Sequence, residues 1–152
     1  MRKIRVLIAD DIGAVRAVVR NLLVSLEVSE MTISEAPDGA TALQIIRDEN
    51  PELVITDWNM PDASGIDVLK AVRQQSSTVP VLMLTSNNRR SEVIDAARAG
   101  ATDYILKPFS RPQLVAKLSH WIRQIESSST TDLQAAEAAM RQRAAEMPDD
   151  GE

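Results

Sequence analysis

The chain contains no cysteine. Disulfides and thiolate metal sites are thereby excluded, and an intracellular setting is the expectation. Histidine is nearly absent as well. His120 is the only one, and it falls in a helical pattern between Leu118 and Trp121, where it reads as a helix-surface residue and not a catalytic base. No apolar run approaches the roughly 20 residues of a membrane span. The opening MRKIRVLIADD reaches two acids too soon for a signal peptide, so a cytoplasmic protein with no membrane partner is expected. A basic excess is also missing. Residues 1–126 hold 15 Lys/Arg and 16 Asp/Glu, whereas 127–152 hold two Arg and six acids. A nearly neutral body argues against nucleic acid as a partner.

What remains is an ordinary globular composition, 44% hydrophobic and 26% charged over 152 residues, enough for one compact domain with an appendage. Five short apolar runs recur: IRVLIA (4–9), MTISEA (31–36), ELVITD (52–57), VPVLML (79–84) and DYILK (103–107). Helical patterns separate and follow them. The clearest sets Ile12, Val15, Val18, Val19, Leu22, Leu23 and Leu26 on one stripe, and another follows the last strand through Leu114, Leu118, Trp121, Ile122 and Ile125. Each interval holds one strand and one crossover helix. That repetition predicts a parallel sheet with helices on both faces. MTISEA alternates and reads as an edge strand, while the more continuous runs read as central. Composition divides the chain into a body, 1–126, and an acidic segment, 127–152. SSSTT (127–131) reads as a linker. Thr131 and Gln134 have capping-box spacing for a last helix with Leu133, Ala136, Met140, Ala144 and Met147 near one face. A solvated polar tail and a helix that docks on the body or on a partner are both open from this pattern.

In an open parallel sheet, ligands bind at the carboxyl ends of the strands. Those ends read Asp10-Asp11, Asp57, Thr85-Ser86 and Lys107-Pro108. Taken singly, each has a plain structural reading. Asp10, Asp11 or Asp57 would cap a helix, Thr85 would serve a turn, and Lys107 would lay its stem along the surface. Together they place three carboxylates, a hydroxyl and an ammonium on one edge. Clustered carboxylates repel unless a cation sits among them, and a few hard oxygen ligands suit Mg²⁺. A carboxylate so placed can attack phosphorus, with cations and a hydroxyl offsetting charge on the phosphoryl oxygens.

The residues LIADD, VITDWNMP, MLTS and YILKPF, in that order over residues 1–126, resemble the receiver domain of two-component response regulators. The likeness is closest to the single-domain chemotaxis regulators of the CheY type. The resemblance implies a doubly wound (βα)5 flavodoxin-like fold with strand order 2-1-3-4-5. It implies that Asp57 accepts a phosphoryl group from a sensor histidine kinase or phosphotransfer protein. Asp11, Asp57 and the main-chain carbonyl of Asn59 would bind Mg²⁺, Asp10 acting mostly through water. Lys107 would pair with the phosphoryl group, Thr85 would hydrogen-bond it, and Tyr104 would turn inward. The peptide bond before Pro108 would be cis. The face formed by the fourth helix, fifth strand and fifth helix would meet a protein target, a flagellar motor switch protein or another, with a phosphatase as a further partner. Pro61 and Gly65 fit the family's turn after the acceptor.

Ala63 stands where the family commonly has a larger residue, which is expected to loosen this loop. Asn59 and Asn87 occupy positions that tune self-dephosphorylation in the family. Trp58 flanks Asp57 and should report on metal or phosphate. Removing one clustered charge, at Asp10 or Asp57, is expected to stabilise the metal-free fold. Three other readings compete. A haloacid-dehalogenase-like hydrolase would need a second Asp where Asn59 stands, so a turnover enzyme is not expected. A flavodoxin-like binding module would need a phosphate loop after the first strand, where Asp10-Asp11 would repel phosphate. A phosphorelay adaptor or phosphate sink would use the same chemistry toward a different partner.

Overall fold

A computed structural model describes residues 3–26, 30–76, 78–86, 89–127 and 140–147. Five strands alternate with five helices: β1 (Ile4–Ala9), α1 (Gly13–Ser25), β2 (Met31–Ala36), α2 (Gly39–Glu49), β3 (Leu53–Asp57), α3 (Gly65–Gln75), β4 (Val81–Thr85), α4 (Arg90–Ala99), β5 (Asp103–Leu106) and α5 (Arg111–Ser127). All strand pairs are parallel and the sheet order is β2-β1-β3-β4-β5. This is the flavodoxin-like doubly wound arrangement expected from the sequence.

Side-chain alternation along the strands feeds two cores. Leu7, Ala9, Val54, Val81 and Met83 face α2, α3 and α4, where they meet Ile46, Leu69 and Val93. Val6, Ile8, Ile55, Leu82 and Leu84 face α1 and α5, where they meet Leu23, Leu118 and Trp121. β1, β3 and β4 are buried on both faces, which is why they are nearly continuous in apolar residues. MTISEA lies at a sheet edge as its alternation indicated.

Local chemistry sets the boundaries. Asp38 caps α2 by accepting from the Thr41 N–H at 2.7 Å, and α2 ends at Asn50 in the left-handed region, φ 50°. Ser64 and Asp67 form a reciprocal capping box for α3. Gly100, at φ 100°, ends α4. Ser110 and Gln113 exchange backbone and side-chain bonds at the start of α5, with Pro112 in its first turn. Some boundaries differ from the sequence reading. β4 begins at Val81 and not at 79, because Pro80 has no N–H to give and offers only its carbonyl, which accepts from Val54 at 3.0 Å. Ile12 is the N-cap of α1 and makes no side-chain cap bond. The plain capping roles of Asp10, Asp11 and Asp57 therefore fall away, since Ser64 caps α3.

Residues 140–146 form a helical segment against the body. Met140 and Ala144 are each 1% exposed and join the α4-side core. Of the two tail readings, the docked helix is the one seen over these residues. Residues 128–139 lie outside the described residues, and with them most of the SSSTT linker, the Thr131–Gln134 capping box, Leu133 and Ala136. Asn87 also lies outside them.

Candidate functional site

Three strands are prolonged by one residue at their carboxyl ends. The Asp10 N–H donates to the Ala36 carbonyl at 3.0 Å, the Trp58 N–H to Leu84 at 2.9 Å and the Lys107 N–H to Thr85 at 2.7 Å. These bonds hold Asp10, Asp57, Thr85 and Lys107 at one level across β1, β3, β4 and β5. Carboxylate oxygens of Asp10, Asp11 and Asp57 all lie within 4.8 Å of one another. The Lys107 ammonium donates to Asp10 Oδ2 at 2.8 Å and stands 3.3 Å from Asp57 Oδ1. Asp10 is fully buried and Asp57 is 8% exposed, while Asp11 faces solvent.

Each charge has a physical support. Asp10 accepts from the Ile12 N–H at 2.9 Å, an Asx-type turn that fixes its carboxylate. Asp57 accepts from its neighbour's N–H, Trp58, at 2.8 Å. Burial pushes the Asp57 carboxyl pKa above the usual carboxylate range, and the Asp10 charge pushes it further. Lys107 and the Trp58 N–H oppose this without cancelling it. Burial of Lys107 works against its charge, but the hydrogen bond to Asp10 and the fields of Asp10 and Asp57 outweigh it. Its pKa is raised, and the ammonium stays charged.

The loop after Asp57 is tied to the start of α2. The Pro61 carbonyl accepts from both Gly39 (3.0 Å) and Ala63 (2.9 Å). A Cβ on Gly39 would lie 2.2 Å from the Ala63 carbonyl, so the loop packs directly on the start of α2. Gly65 plays the matching part on the other side. A Cβ there would lie 2.2 Å from the Asp57 carbonyl. Asn59 is exposed in this loop, two residues past Asp57. Thr85 is buried at the end of β4. Tyr104 is half-buried in β5, farther along the sheet. His120 is exposed on α5, edge-on to Trp121 at 4.6 Å, away from the strand ends. The Lys107–Pro108 bond is cis. The donor set fits Mg²⁺: three hard carboxylate oxygens, one of them from a solvent-facing residue that leaves room for water.

The strand-end residues were legible in the sequence, but three long-range arginine contacts were not, and only the first of them reaches the strand-end cluster. Arg16 donates to the Asp10 carbonyl at 2.6 Å and to Glu35 at 3.1 Å, tying α1 and β2 to the site. Arg73 donates to the carbonyls of Gly100 and Val79 and to Thr102 Oγ1, binding the ends of α3, α4 and β4 together. Arg143 lies over the Tyr104 ring, 5.2 Å from its centroid. Nothing in the local spacing of these arginines announces such long-range contacts.

A profile of the response regulator receiver domain matches residues 6–119. The chain is 41% identical over 119 residues to the chemotaxis protein CheY-3 of Vibrio cholerae, covering 77% of this chain and 90% of that protein. It is 40% identical over 116 residues to the chemotaxis protein CheY of Pseudomonas aeruginosa, covering 75% and 92%. The solved structure of the chemotaxis response regulator CheY4 of Vibrio cholerae superposes with a TM-score of 0.68 at 30% identity, covering 79% of this chain and 99% of that one. A continuous receiver match across the body, joined to the doubly wound sheet and the acidic edge just described, shows that the chain belongs to the response regulator receiver domain family.

Proposed function

We propose that the protein is a phosphorylation-switched response regulator in which Asp57 is the phosphoryl acceptor. The observation that carries the reading is the convergence of three carboxylates and one ammonium on the same sheet edge, Asp57 lying 3.3 Å from Lys107. An Asp57 oxygen attacks phosphorus of a phosphohistidine on a sensor kinase or phosphotransfer protein. An O–P bond forms as the P–N bond breaks, and its electron pair returns to the imidazole. Lys107 keeps its charge and offsets that of the transferred oxygens, and the Thr85 hydroxyl donates to one of them. Asp10, Asp11, Asp57 and the Asn59 carbonyl would hold Mg²⁺, which when bound neutralises charge on the carboxylates and the phosphoryl group.

Asp10 holds Lys107 beside the acceptor at 2.8 Å. Burial and the Asp10 charge raise the Asp57 pKa, so the site favours the arrival of a cation, and that cation together with Lys107 would offset the charge that a phosphoryl group brings. Phosphorylation then biases Thr85 and Tyr104 between two existing arrangements. Output passes through the α4–β5–α5 face to a protein target. The names of the relatives favour chemotaxis; the target we propose is a flagellar motor switch protein, with a phosphatase to reset the signal. No helix among the described residues is long and apolar enough to cross a membrane, and we place the protein in the cytoplasm. It acts as a signalling protein, its chemistry limited to gaining and losing its own phosphoryl group.

Trp58 supplies the test. Its backbone is bonded to the Asp57 carboxylate, so its emission should change when beryllofluoride, a phosphoryl mimic, is added with Mg²⁺. An unchanged emission with Mg²⁺ and beryllofluoride, or an equal change in Asp57→Asn, would refute the assignment.

A further inference from the structure

The two arginines of residues 127–152, Arg141 and Arg143, both lie in the segment that touches the body. That segment is anchored in three ways. Met140 and Ala144, one helical turn apart, are buried in the core cluster that contains Val93, Ala96 and Ala97 of α4, and Met147 packs beside them. Arg90, the first residue of α4, donates to the Ala144 carbonyl at 3.0 Å. Arg143 reaches β5, where its guanidinium stands 3.8 Å from the Asp103 carboxylate and lies over the Tyr104 ring. Asp103 also accepts from Lys117 of α5 at 2.7 Å, so one carboxylate joins β5, α5 and the segment. A cleft of about 630 Å³ opens at this junction, lined by Tyr104, Lys117 and Arg143 among others.

We propose that residues 140–147 are a built-in occupant of the α4–β5–α5 face, docked in the unphosphorylated arrangement and released when Asp57 is phosphorylated. The inference rests on the phosphorylation reading above. The contacts are specific: an apolar pair buried in the cluster that α4 shares, a guanidinium on an acid, and a cation over an aromatic ring. They are also few, which places the segment at the low-stability end of the molecule, where a switch can move it. Tyr104 is the link. Arg143 needs the ring where it now lies, and an inward ring withdraws the π face from the guanidinium. The segment therefore binds the present arrangement better than the phosphorylated one. Because linkage is reciprocal, a docked segment resists phosphorylation to the same degree that phosphorylation expels the segment. A protein target that uses this face competes with the segment, whose attachment to the same chain keeps its effective concentration high.

The test uses the full chain and two variants, Arg143→Ala and Ala144→Arg. The first removes the contacts with Asp103 and Tyr104, and the second places a long charged side chain at a buried peripheral position. Hydrogen exchange of the 140–147 amides and beryllofluoride titration of Trp58 emission with Mg²⁺ are read on each. In the parent chain, 140–147 should be protected, and protection should fall when beryllofluoride is added. In both variants protection should be low at the start, and half-saturation should come at roughly fivefold or more lower beryllofluoride. A normal Trp58 response with exchange in 140–147 unchanged by beryllofluoride, and with both variants titrating like the parent, overturns this inference and leaves the phosphorylation reading intact. No Trp58 response in any chain overturns both.

Discussion

Asp57→Asn should make the metal-free protein more stable while abolishing its chemistry. The replacement keeps the shape and the oxygen that accepts the Trp58 N–H at 2.8 Å, and it removes one negative charge. At an effective dielectric of about 20, each carboxylate pair within 4.8 Å repels by about 3–4 kcal/mol, and Lys107 at 3.3 Å returns about 5 kcal/mol. Asp11 is exposed and its share is screened, so the charges around Asp57 nearly cancel. What remains is the cost of burying the Asp57 charge, the leading cause of its raised pKa. After the Trp58 bond is credited, a net gain of about 1–2 kcal/mol is expected from neutralisation, or about 3–6 °C in Tm for a chain of this size. The pH dependence has a definite sign. A carboxyl with a raised folded pKa binds its proton more tightly folded than unfolded, so it costs least stability at low pH. Stability of the parent chain relative to Asp57→Asn is lost as pH rises from the ordinary Asp value of 3.8 through the higher folded value. Thermal unfolding in EDTA, followed by circular dichroism from pH 4 to pH 8, reads this directly. Equal melting of the two chains at pH 7, or a gap that does not narrow on acidification, would refute the reasoning.

Asp10→Asn should behave in the opposite way, although it removes the same charge. It breaks the 2.8 Å charge-assisted bond from Lys107, worth about 1.5–3 kcal/mol and only partly offset by relieved repulsion, so unfolding in EDTA should show a loss of about 1–2 kcal/mol. Mg²⁺ should raise the Tm of the parent chain and raise that of Asp57→Asn much less, as scanning calorimetry at fixed pH would show. Gly65→Ala should cost about 2–3 kcal/mol in chemical denaturation, because its Cβ would meet the Asp57 carbonyl at 2.2 Å. The same change should blunt the Trp58 response to beryllofluoride, since the acceptor's backbone must shift.

The fold was legible because five apolar runs recur at intervals that leave room for one helix each, and a parallel sheet follows from that alone. The candidate site was legible because its members lie at or just past the ends of strands. Asp10, Asp57, Thr85 and Lys107 needed only neighbouring strands to be brought together. Pro80 moved the start of β4 because an apolar run does not show which backbone groups enter the ladder. From the sequence Asp10 and Asp57 are equivalent charges, and the different outcomes now predicted for their removal come from the structure. Which of them Lys107 grips more closely is a matter of distance across the sheet. The tail's stripe of Met140, Ala144 and Met147 was visible in the sequence. The surface it covers was not, because the contacts of Arg143 with Asp103 and Tyr104 span about 40 positions of chain.

The central claim is that Asp57 takes up one phosphoryl group with the help of a cation among the carboxylates. Intact-mass spectrometry of the full chain after brief exposure to acetyl phosphate tests it most directly. A single added phosphoryl group with Mg²⁺, absent in EDTA and absent in Asp57→Asn, is the predicted result. Equal labelling of the Asp57→Asn chain, or no labelling of the parent chain with Mg²⁺ present, would contradict the account.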